Sequence, residues 1–482
     1  MYKHIIKILV FLFLFYNITF AQSSISSETQ VCISCHEIVT PGIVKDWKAG
    51  LHSKVTLKEA LSKDPLSRKV TPSLSFKNKD IVIGCAECHT LNPESHKDTF
   101  DHNGFKVHIV VSPKDCAVCH SKEVEEYDKN LMSKAYNNLK DNPLYDKLIK
   151  SSLEPHPNIL SENDACLACH GTKVEVKGEV IRNTQMGEMK FPILLGWANN
   201  GVGRINPDNS KGACTSCHPR HSFSIEIARK PYTCSQCHKG PDVPAYKVYV
   251  VSKHGNIYSS KSAEMNFSNA PWKAGEDFKA PTCAACHVSL LVDNNNNVIV
   301  ERTHQMNDRI SWRIFGLIYA HPHPKDSDTT KIKNKAGLSL PTELTGEFVK
   351  DFLIDEKEME KRENKMKSIC MACHTSSWIE NHFLKFHNAI KTTNEQTLEA
   401  TKILLEAWKK GVANASCIFD EAIEKMWVEQ WLFYANSVRF ASAMGGADYG
   451  VFEKGRWYLN KNIQNMKDWL LFLLKKKIDI NP

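Results

Sequence analysis

The chain contains eight copies of the sequence Cys-x-x-Cys-His, and this repeat constrains its fold more than any other feature. Each copy has the form of a c-type haem attachment site, in which two thiols bond to one porphyrin and the next residue, His, ligates the iron. We therefore expect eight covalently bound haem c groups, with iron, and a core made largely of porphyrin. The motif cysteines are Cys32, Cys35, Cys85, Cys88, Cys116, Cys119, Cys166, Cys169, Cys214, Cys217, Cys234, Cys237, Cys283, Cys286, Cys370 and Cys373. The motif histidines are His36, His89, His120, His170, His218, His238, His287 and His374.

Other uses of cysteine fit this pattern poorly. Disulfide frameworks do not place His directly after every second Cys, and zinc sites need a second ligand pair at a regular distance. The motifs use 16 of the 17 cysteines, which leaves Cys417 in a predicted helix. We expect Cys417 to be a buried thiol.

The first residues predict export. Lys3 and Lys7 give the N-terminus positive charge, and an apolar run follows at residues 8–15. Residues 19–21, Thr-Phe-Ala, resemble a signal-peptidase site. Residues 1–21 are therefore predicted to be a signal peptide, cleaved before Gln22. Export agrees with the attachment of c-type haem and predicts a periplasmic protein.

Breaker residues divide the remaining chain into two predicted domains. Residues 22–344 carry seven motifs and are rich in Pro, Gly, Asn and Ser, which predicts short helices and loops around haems. In residues 345–482 breakers are rare, and apolar residues recur at helical spacing in segments 348–367, 398–408, 417–444 and 461–475. We expect a mainly α protein with very little β structure, whose C-terminal bundle of long helices contains the eighth motif.

Each iron needs a second axial ligand or keeps an open position. Of the 21 histidines, eight belong to motifs and His4 to the predicted signal peptide, which leaves 12. If eight of these ligate iron the protein only relays electrons; if seven do, one iron can bind a substrate, and the count permits both. The predicted second ligands are His52, His108, His221, His254, His304, His323 and His387, of which His52, His221, His254 and His304 lie in loops near motifs.

The formal net charge of the chain is +8. The lysines are scattered rather than clustered into a groove with stacking aromatics, so a nucleic acid is not an expected partner. Positive potential would instead draw small anions toward the protein.

Several segments around the motifs are distinctive. The sixth motif lies in CSQCHKGPD at 234–242, which is followed by Tyr249 and by Ser-Lys-His-Gly at 252–255. The seventh motif lies in PTCAACH at 281–287, which is followed by Thr-His at 303–304 and Arg-Ile-Ser-Trp at 309–312. The sequence Gly-Gly-x-x-Tyr occupies residues 445–449. In these features the whole mature chain resembles the octahaem hydroxylamine oxidoreductase family. The resemblance implies that the fourth haem, on Cys166 and Cys169 with His170 as ligand, is catalytic and has an open face. It also implies seven haems with two His ligands each, and a homotrimer.

Three positions bear on the direction of catalysis. Where oxidising members have Asp-His after the sixth motif, this chain has Asp242 followed by Val243. Tyr319 follows Trp312 in the manner of a distal Tyr of the family. Tyr449 stands near the position of the Tyr that cross-links to the catalytic haem, but the segment after it is shorter. The resemblance therefore places the chain in the nitrite-reducing branch that lacks the cross-link, with His170, Asp242 and Tyr319 as catalytic residues.

The implied reaction is the reduction of nitrite, a small nitrogen-oxide substrate, to hydroxylamine and/or ammonium. Electrons would come from a membrane-bound multihaem quinol dehydrogenase or a small cytochrome c. Oxidation of hydroxylamine or hydrazine at the same haem is an alternative, and a pure electron-transfer cytochrome is another. Reduction of a different oxyanion, such as tetrathionate, is a weaker third alternative.

Overall fold

Helices dominate the computed structural model, which describes residues 24–71, 78–153, 165–184, 187–416, 418–444 and 455–480. This confirms the predicted mainly α fold. The α-helices, numbered α1 to α19 in chain order, are Ser27–Val39, Pro41–Ala49, Leu57–Ser62, Cys85–His89, Pro113–Cys116, Ser121–Asp128, Ala135–Lys140, Pro143–Leu153, Leu167–His170, Ile225–Arg229, Pro231–Ser235, Ala245–Val251, Lys253–Lys261, Cys283–His287, Glu356–Met371, Ser376–Lys409, Ala422–Val428, Ala435–Ala443 and Arg456–Ile480. A π-helical segment, Glu429–Tyr434, joins α17 to α18.

The β structure of the described residues consists of small sheets with two or three strands each. The strands, β1 to β9, are Phe100–His102, Phe105–Val107, Glu175–Thr184, Gly187–Leu195, Trp272–Lys273, Leu291–Val292, Val298–Val300, Trp312–Arg313 and His321–Pro322. In the hairpin β1–β2, Asn103 and Gly104 have φ angles of 50° and 82°, the left-handed backbone that a tight two-residue turn requires. The longest hairpin is β3–β4, which follows the fourth motif.

The haem motifs form short helical turns. Helices α4 and α14 consist of the second and seventh motifs alone, and α9 ends on the His of the fourth. Residues three and four apart lie on the same face of a helix. A single turn therefore directs both thiols and the imidazole of one motif toward the same side, where one porphyrin can bind.

Long helices form the C-terminal part, as predicted. Helix α16 begins well before the predicted segment 398–408, because no Pro or Gly interrupts residues 376–409. It ends before Gly411, whose φ of 62° fits the left-handed position just beyond a helix. Leu404, Trp427 and Trp431 are fully buried in the largest apolar cluster, where α16, α17 and the π-helical segment meet.

The long helices are tied to the haem-rich part by a buried arginine. Arg439 on α18 donates hydrogen bonds to the Ile314 carbonyl at 3.2 Å and to Asn394 Oδ1 at 2.7 Å. Ile314 directly follows β8, in the region after the seventh motif. The C-terminal helices therefore pack directly on the haem-rich part.

Some predictions concern residues outside the described ranges. These residues are the signal peptide 1–21, His156, Cys417, Gly445, Gly446 and Tyr449. Within the described ranges, no helix is both long enough and apolar enough to cross a membrane.

Candidate haem sites and active site

A cavity of about 2680 Å³ runs through the haem-rich part. Residues from seven motifs, the second to the eighth, line it, including Cys88, Cys166 and Cys373. Pockets for one small ligand usually have volumes of about 300–1,000 Å³. This cavity therefore fits a connected series of large ligands rather than one.

Four motif histidines each face a second imidazole. With metal–imidazole bonds of about 2.0–2.1 Å, two imidazoles on opposite sides of one metal have ring centres roughly 6 Å apart. The ring centres of the pairs His36–His102, His89–His221, His120–His52 and His374–His254 are separated by 6.0, 6.4, 6.2 and 6.0 Å. The residues therefore fit haem iron with two axial His ligands at these four motifs.

Burial favours the neutral form of several histidines, which is the form that binds a metal. It is the main cause that lowers the pKa of His52 and His218 to about 4 and of His304 to about 3. A neutral imidazole is the form that ligates a metal. The charges of the motif histidines His218 and His120 also lower the pKa of His304. His304 is therefore a candidate second ligand in the region of the third and fifth motifs.

The motif cysteines show which haem sites are adjacent. Four pairs of thiols lie close enough to shift each other's pKa: Cys32 with Cys85, Cys116 with Cys214, Cys234 with Cys283, and Cys169 with Cys237. Electrostatic interactions also link Cys88 with Cys119, Cys217 with Cys234, and Cys286 with Cys370. No disulfide joins the described cysteines. The motifs thus form the series 1–2–3–5–6–7–8, with the fourth motif beside the sixth.

Two histidines predicted as iron ligands make other contacts. The His108 ring is stacked on His96 with centres 3.7 Å apart, but its centre also lies 6.0 Å from that of His89, so His108 and His221 are both candidates opposite His89. His387 lies on α16 and its Nε2 is 2.9 Å from a carboxylate oxygen of Glu363, and no motif His ring faces it among the described residues. We retain His108 as a candidate iron ligand but not His387. His102, which faces His36, was not in the predicted set, because its hairpin brings it back toward the first motif in a way that local sequence does not indicate.

His323 is buried and lines the cavity. Burial, assisted by the charge of Arg313, lowers its pKa well below the usual value. It remains a candidate ligand for one of the motifs without a facing imidazole.

The surroundings of His170 are polar. Burial lowers the pKa of His170, while the charges of Asp242 and Arg313 shift it in opposite directions. Burial raises the pKa of the Tyr145 hydroxyl, the nearby Arg313 guanidinium lowers it, and the charge of Asp242 raises it. All four side chains line the cavity. Among the described residues, no imidazole faces His170 at the spacing of the four pairs.

The same site contains residues that sequence reasoning missed. Tyr145 lies on α8 and Arg313 on β8, distant in sequence from each other and from Asp242. Burial raises the pKa of Tyr145, so its hydroxyl stays protonated and can donate a hydrogen bond. The Arg-Ile-Ser-Trp segment at 309–312 ends one residue before Arg313 and was the nearest signal in the sequence.

Tyr319 lies elsewhere. Its side chain is 1% exposed in the core of the long helices, and its hydroxyl is 2.8 Å from the Leu344 carbonyl and 3.1 Å from Thr401 Oγ1. It is absent from the cavity lining, so we do not retain it in the candidate active site. Val243, in contrast, contacts the apolar cluster around Val248 and Phe440 and also lines the cavity.

Comparison with known proteins agrees with this geometry. Residues 198–310 match the family described as "Seven times multi-haem cytochrome CxxCH", and residues 115–190 match "Cytochrome c554 and c-prime". A solved structure described as a hypothetical multiheme protein is 42% identical, covers 95% of this chain and 98% of its own, and superposes with a TM-score of 0.90. The chain is a multihaem cytochrome c. It binds haem c covalently.

Two relatives from Kuenenia stuttgartiensis show how this cytochrome family varies. A probable nitrite reductase-hydroxylamine oxidoreductase fusion protein is 27% identical over 364 residues, which cover 72% of this chain but 34% of the relative. The cytochrome thus spans about a third of that curated relative's length. A solved "reducing HAO-like protein complex" has a TM-score of 0.62 at 17% identity, covers 93% of this chain and 86% of its own, and shows a shared fold.

Proposed function

We propose that this cytochrome reduces nitrite, to hydroxylamine and/or ammonium, at the haem carried by Cys166, Cys169 and His170. The observation that carries the proposal is the group of Asp242, Arg313 and Tyr145 beside His170 in the cavity. At the motifs with facing imidazoles both axial positions are filled from the chain, which suits electron transfer alone. A polar pocket beside an iron with an open position suits a small polar substrate.

The side chains of Asp242, Arg313 and Tyr145 each have a separate role in the proposed reaction. When bound, the haem supplies electrons and a coordination position for the nitrogen of nitrite. Each N–O bond that breaks also consumes protons, and Asp242 is the acid placed to deliver them. Arg313 is a permanent cation that can bind the negative charge of nitrite, and the Tyr145 hydroxyl can donate to one of its oxygens.

The direction of catalysis follows from the groups beside Asp242. Val243 replaces the ionisable His of the oxidising enzymes, and its contacts with the apolar cluster around Val248 make this side of the pocket less polar. Arg313 favours an anion over neutral hydroxylamine. Oxidation of hydroxylamine remains the alternative reaction of the same pocket.

The proposal also covers the setting of the enzyme. It includes eight haem c groups, seven of them in electron transfer, a homotrimer and export to the periplasm after cleavage of residues 1–21. The series of adjacent motifs supports a path on which electrons arrive at a distance from His170. The fold shared with the Kuenenia reducing HAO-like complex supports a multihaem redox partner, such as a quinol dehydrogenase or a small cytochrome c.

A spectroscopic titration tests the central claim. We expect the oxidised protein to show one high-spin haem whose electron paramagnetic resonance signal converts to low spin on addition of nitrite or cyanide. The remaining haems should stay low spin, because each is proposed to have two axial His ligands, and four motif histidines already face a second imidazole. Low-spin signals alone, unchanged by either ligand, would favour the pure electron-transfer cytochrome.

Substitution of Arg313 tests substrate recognition. We expect Arg313→Gln to weaken nitrite binding about tenfold or more, since a hydrogen bond to a charged group contributes about 1.5–3 kcal/mol. The dissociation constant is read from the high-spin titration, and Arg313→Lys should recover part of the loss. Binding of neutral hydroxylamine should change little. An equal loss for both ligands would contradict a role in anion recognition.

A further inference from the structure

Four basic side chains meet on the wall of the cavity and take no part in the proposed reaction. This cationic cluster consists of Arg68, Lys69, Arg229 and Arg302, all of which line the cavity. The Arg229 guanidinium donates hydrogen bonds to the carbonyls of the first and third residues of the segment 267–269, at 2.9 and 2.5 Å. Lys69 Nζ lies 3.5 Å from the carbonyl oxygen of the middle residue, and Arg302 Nη1 donates to the Arg68 carbonyl at 3.4 Å. These contacts bring the four residues together from three distant segments of the chain.

The cluster contains buried donors that lack an acceptor. Arg68 Nε and Arg229 Nε are both buried, and neither has a hydrogen-bond partner. A guanidinium can donate but not accept, and a buried N–H group without an acceptor costs free energy. Because both side chains line the cavity, their acceptor is expected to be a group that binds inside it.

Carboxylates of the chain balance little of the positive charge. Among the described residues, Arg302 is the one member of the cluster with an ion pair, which it forms with Glu123. Burial lowers the pKa of Arg229 to about 10, and the charge of Asp277 offsets only part of this shift. The two oxygens of Asp277 accept hydrogen bonds from Asn269 and from the backbone N–H of Lys273. Partly buried charges without a partner are costly, so the cluster favours an anionic ligand with several oxygens.

We infer that the cationic cluster binds the propionate carboxylates of a haem c held at the third or the fifth motif. Each haem c carries two propionates on one edge of the porphyrin, and the planar fork of an Arg matches the geometry of a carboxylate. The position of Arg302 supports this assignment. Burial is the main cause that lowers the pKa of His120, the motif His of the third site, and of His304, and the charge of Arg302 adds to the shift in both.

The cluster would raise the reduction potential of this haem. Cations beside the propionates offset their negative charge and so favour ferrous over ferric iron, since the charge around a haem helps to set its potential. The third and fifth motifs lie inside the series 1–2–3–5–6–7–8, so this haem would stay reduced at potentials that oxidise its neighbours. The inference rests on haem binding alone and does not require nitrite as the substrate.

A redox titration of Lys69→Met tests the inference. Met has a similar length but carries no charge. A unit charge about 12 Å from an iron, at an effective dielectric constant of about 20, changes the ratio of ferrous to ferric haem about tenfold. We expect one low-spin haem of the variant to be about tenfold less reduced at a fixed potential, which corresponds to a midpoint lower by about 59 mV. The response of the high-spin haem to nitrite should stay as in the wild type, which separates this test from that of the proposed reaction.

Lys122→Met is the matched control. Lys122 also lines the cavity, but it is exposed and its Nζ lies 3.8 Å from Glu126 Oε1. Its removal should change the ratio of ferrous to ferric haem less than about twofold at every site, because exposed charges are screened by solvent. If the haem content shows that Lys69→Met has not matured, Arg68→Met removes another charge of the cluster and is titrated in the same way.

Two results would overturn the inference. The first is a set of midpoints that stays unchanged in the variants of the cluster, or that shifts equally in Lys122→Met. The second is a wild-type midpoint that changes with chloride concentration at constant ionic strength, in a way that Lys69→Met abolishes. That result would show that the cluster binds a free anion instead of the propionates.

Discussion

Asp242→Asn is expected to lower the kcat for nitrite reduction by about 100-fold or more, with haem content unchanged. A positioned general acid contributes about 100- to 10,000-fold to a rate. Asn keeps the size and polarity of the side chain, so the loss reports the missing proton donor rather than a collapsed pocket. Turnover is measured with a chemical reductant, which removes any dependence on the natural electron donor.

The variant should lose kcat while the dissociation constant for nitrite changes little, because Arg313 provides the binding charge. A lower kcat beside an unchanged dissociation constant separates proton delivery from a structural role. A structural role would weaken ligand binding and disturb the high-spin signal together.

A second carboxylate in the same cavity is the matched control. Glu429 lines the cavity but accepts a hydrogen bond from the Tyr434 hydroxyl at 2.8 Å, away from the group around His170. Glu429→Gln is expected to change kcat less than threefold or so. Equal effects of the two substitutions would mean that the charge of the cavity matters and the position of Asp242 does not.

The sequence predicted the motif half of each haem site because that half is local. Two thiols and an imidazole at fixed spacing need one helical turn, and helices such as α4 and α14 supply it. The facing imidazole depends on the path of the chain between motifs. His52, His221 and His254, which belong to the predicted ligand set, lie opposite motif histidines, and so does His102, which does not. The tight turn at Asn103 and Gly104 brings His102 opposite His36, and the residues next to His102 in the sequence do not indicate this.

The residues of the candidate active site were harder to predict, because most of them are distant from one another in sequence. Asp242 lies just after the sixth motif, so its place beside a haem could be predicted from nearby residues. Tyr145 and Arg313 come from a helix and a strand that meet there only in the folded chain. Tyr319 is close to Arg313 in sequence, yet the chain between them turns it toward the long helices, where Thr401 and the Leu344 carbonyl contact its hydroxyl. Distance along the chain is therefore a poor guide to which Tyr reaches the cavity.

Arg309→Met is expected to destabilise the protein by about 3 kcal/mol or more, because a buried carbonyl without a donor costs about 1–3 kcal/mol. Arg309 is 2% exposed, and its guanidinium donates to the carbonyls of Ala285, Cys286, Val288, Ser289 and Glu301. These carbonyls surround the seventh motif. Met fills similar space but donates no hydrogen bond, so the backbone carbonyls around this motif lose their shared donor.

The loss should appear as a lower guanidinium midpoint and as a shorter half-life on heating, since large proteins with covalent cofactors often unfold irreversibly. Arg302→Met is the control, because Arg302 pairs with Glu123 in a partly exposed position and such pairs contribute about 1 kcal/mol or less. A drop of similar size in both variants would show that any arginine in this region is equally important. A drop confined to Arg309→Met, together with a changed potential for one haem, would establish that this buried guanidinium holds the seventh haem site in shape.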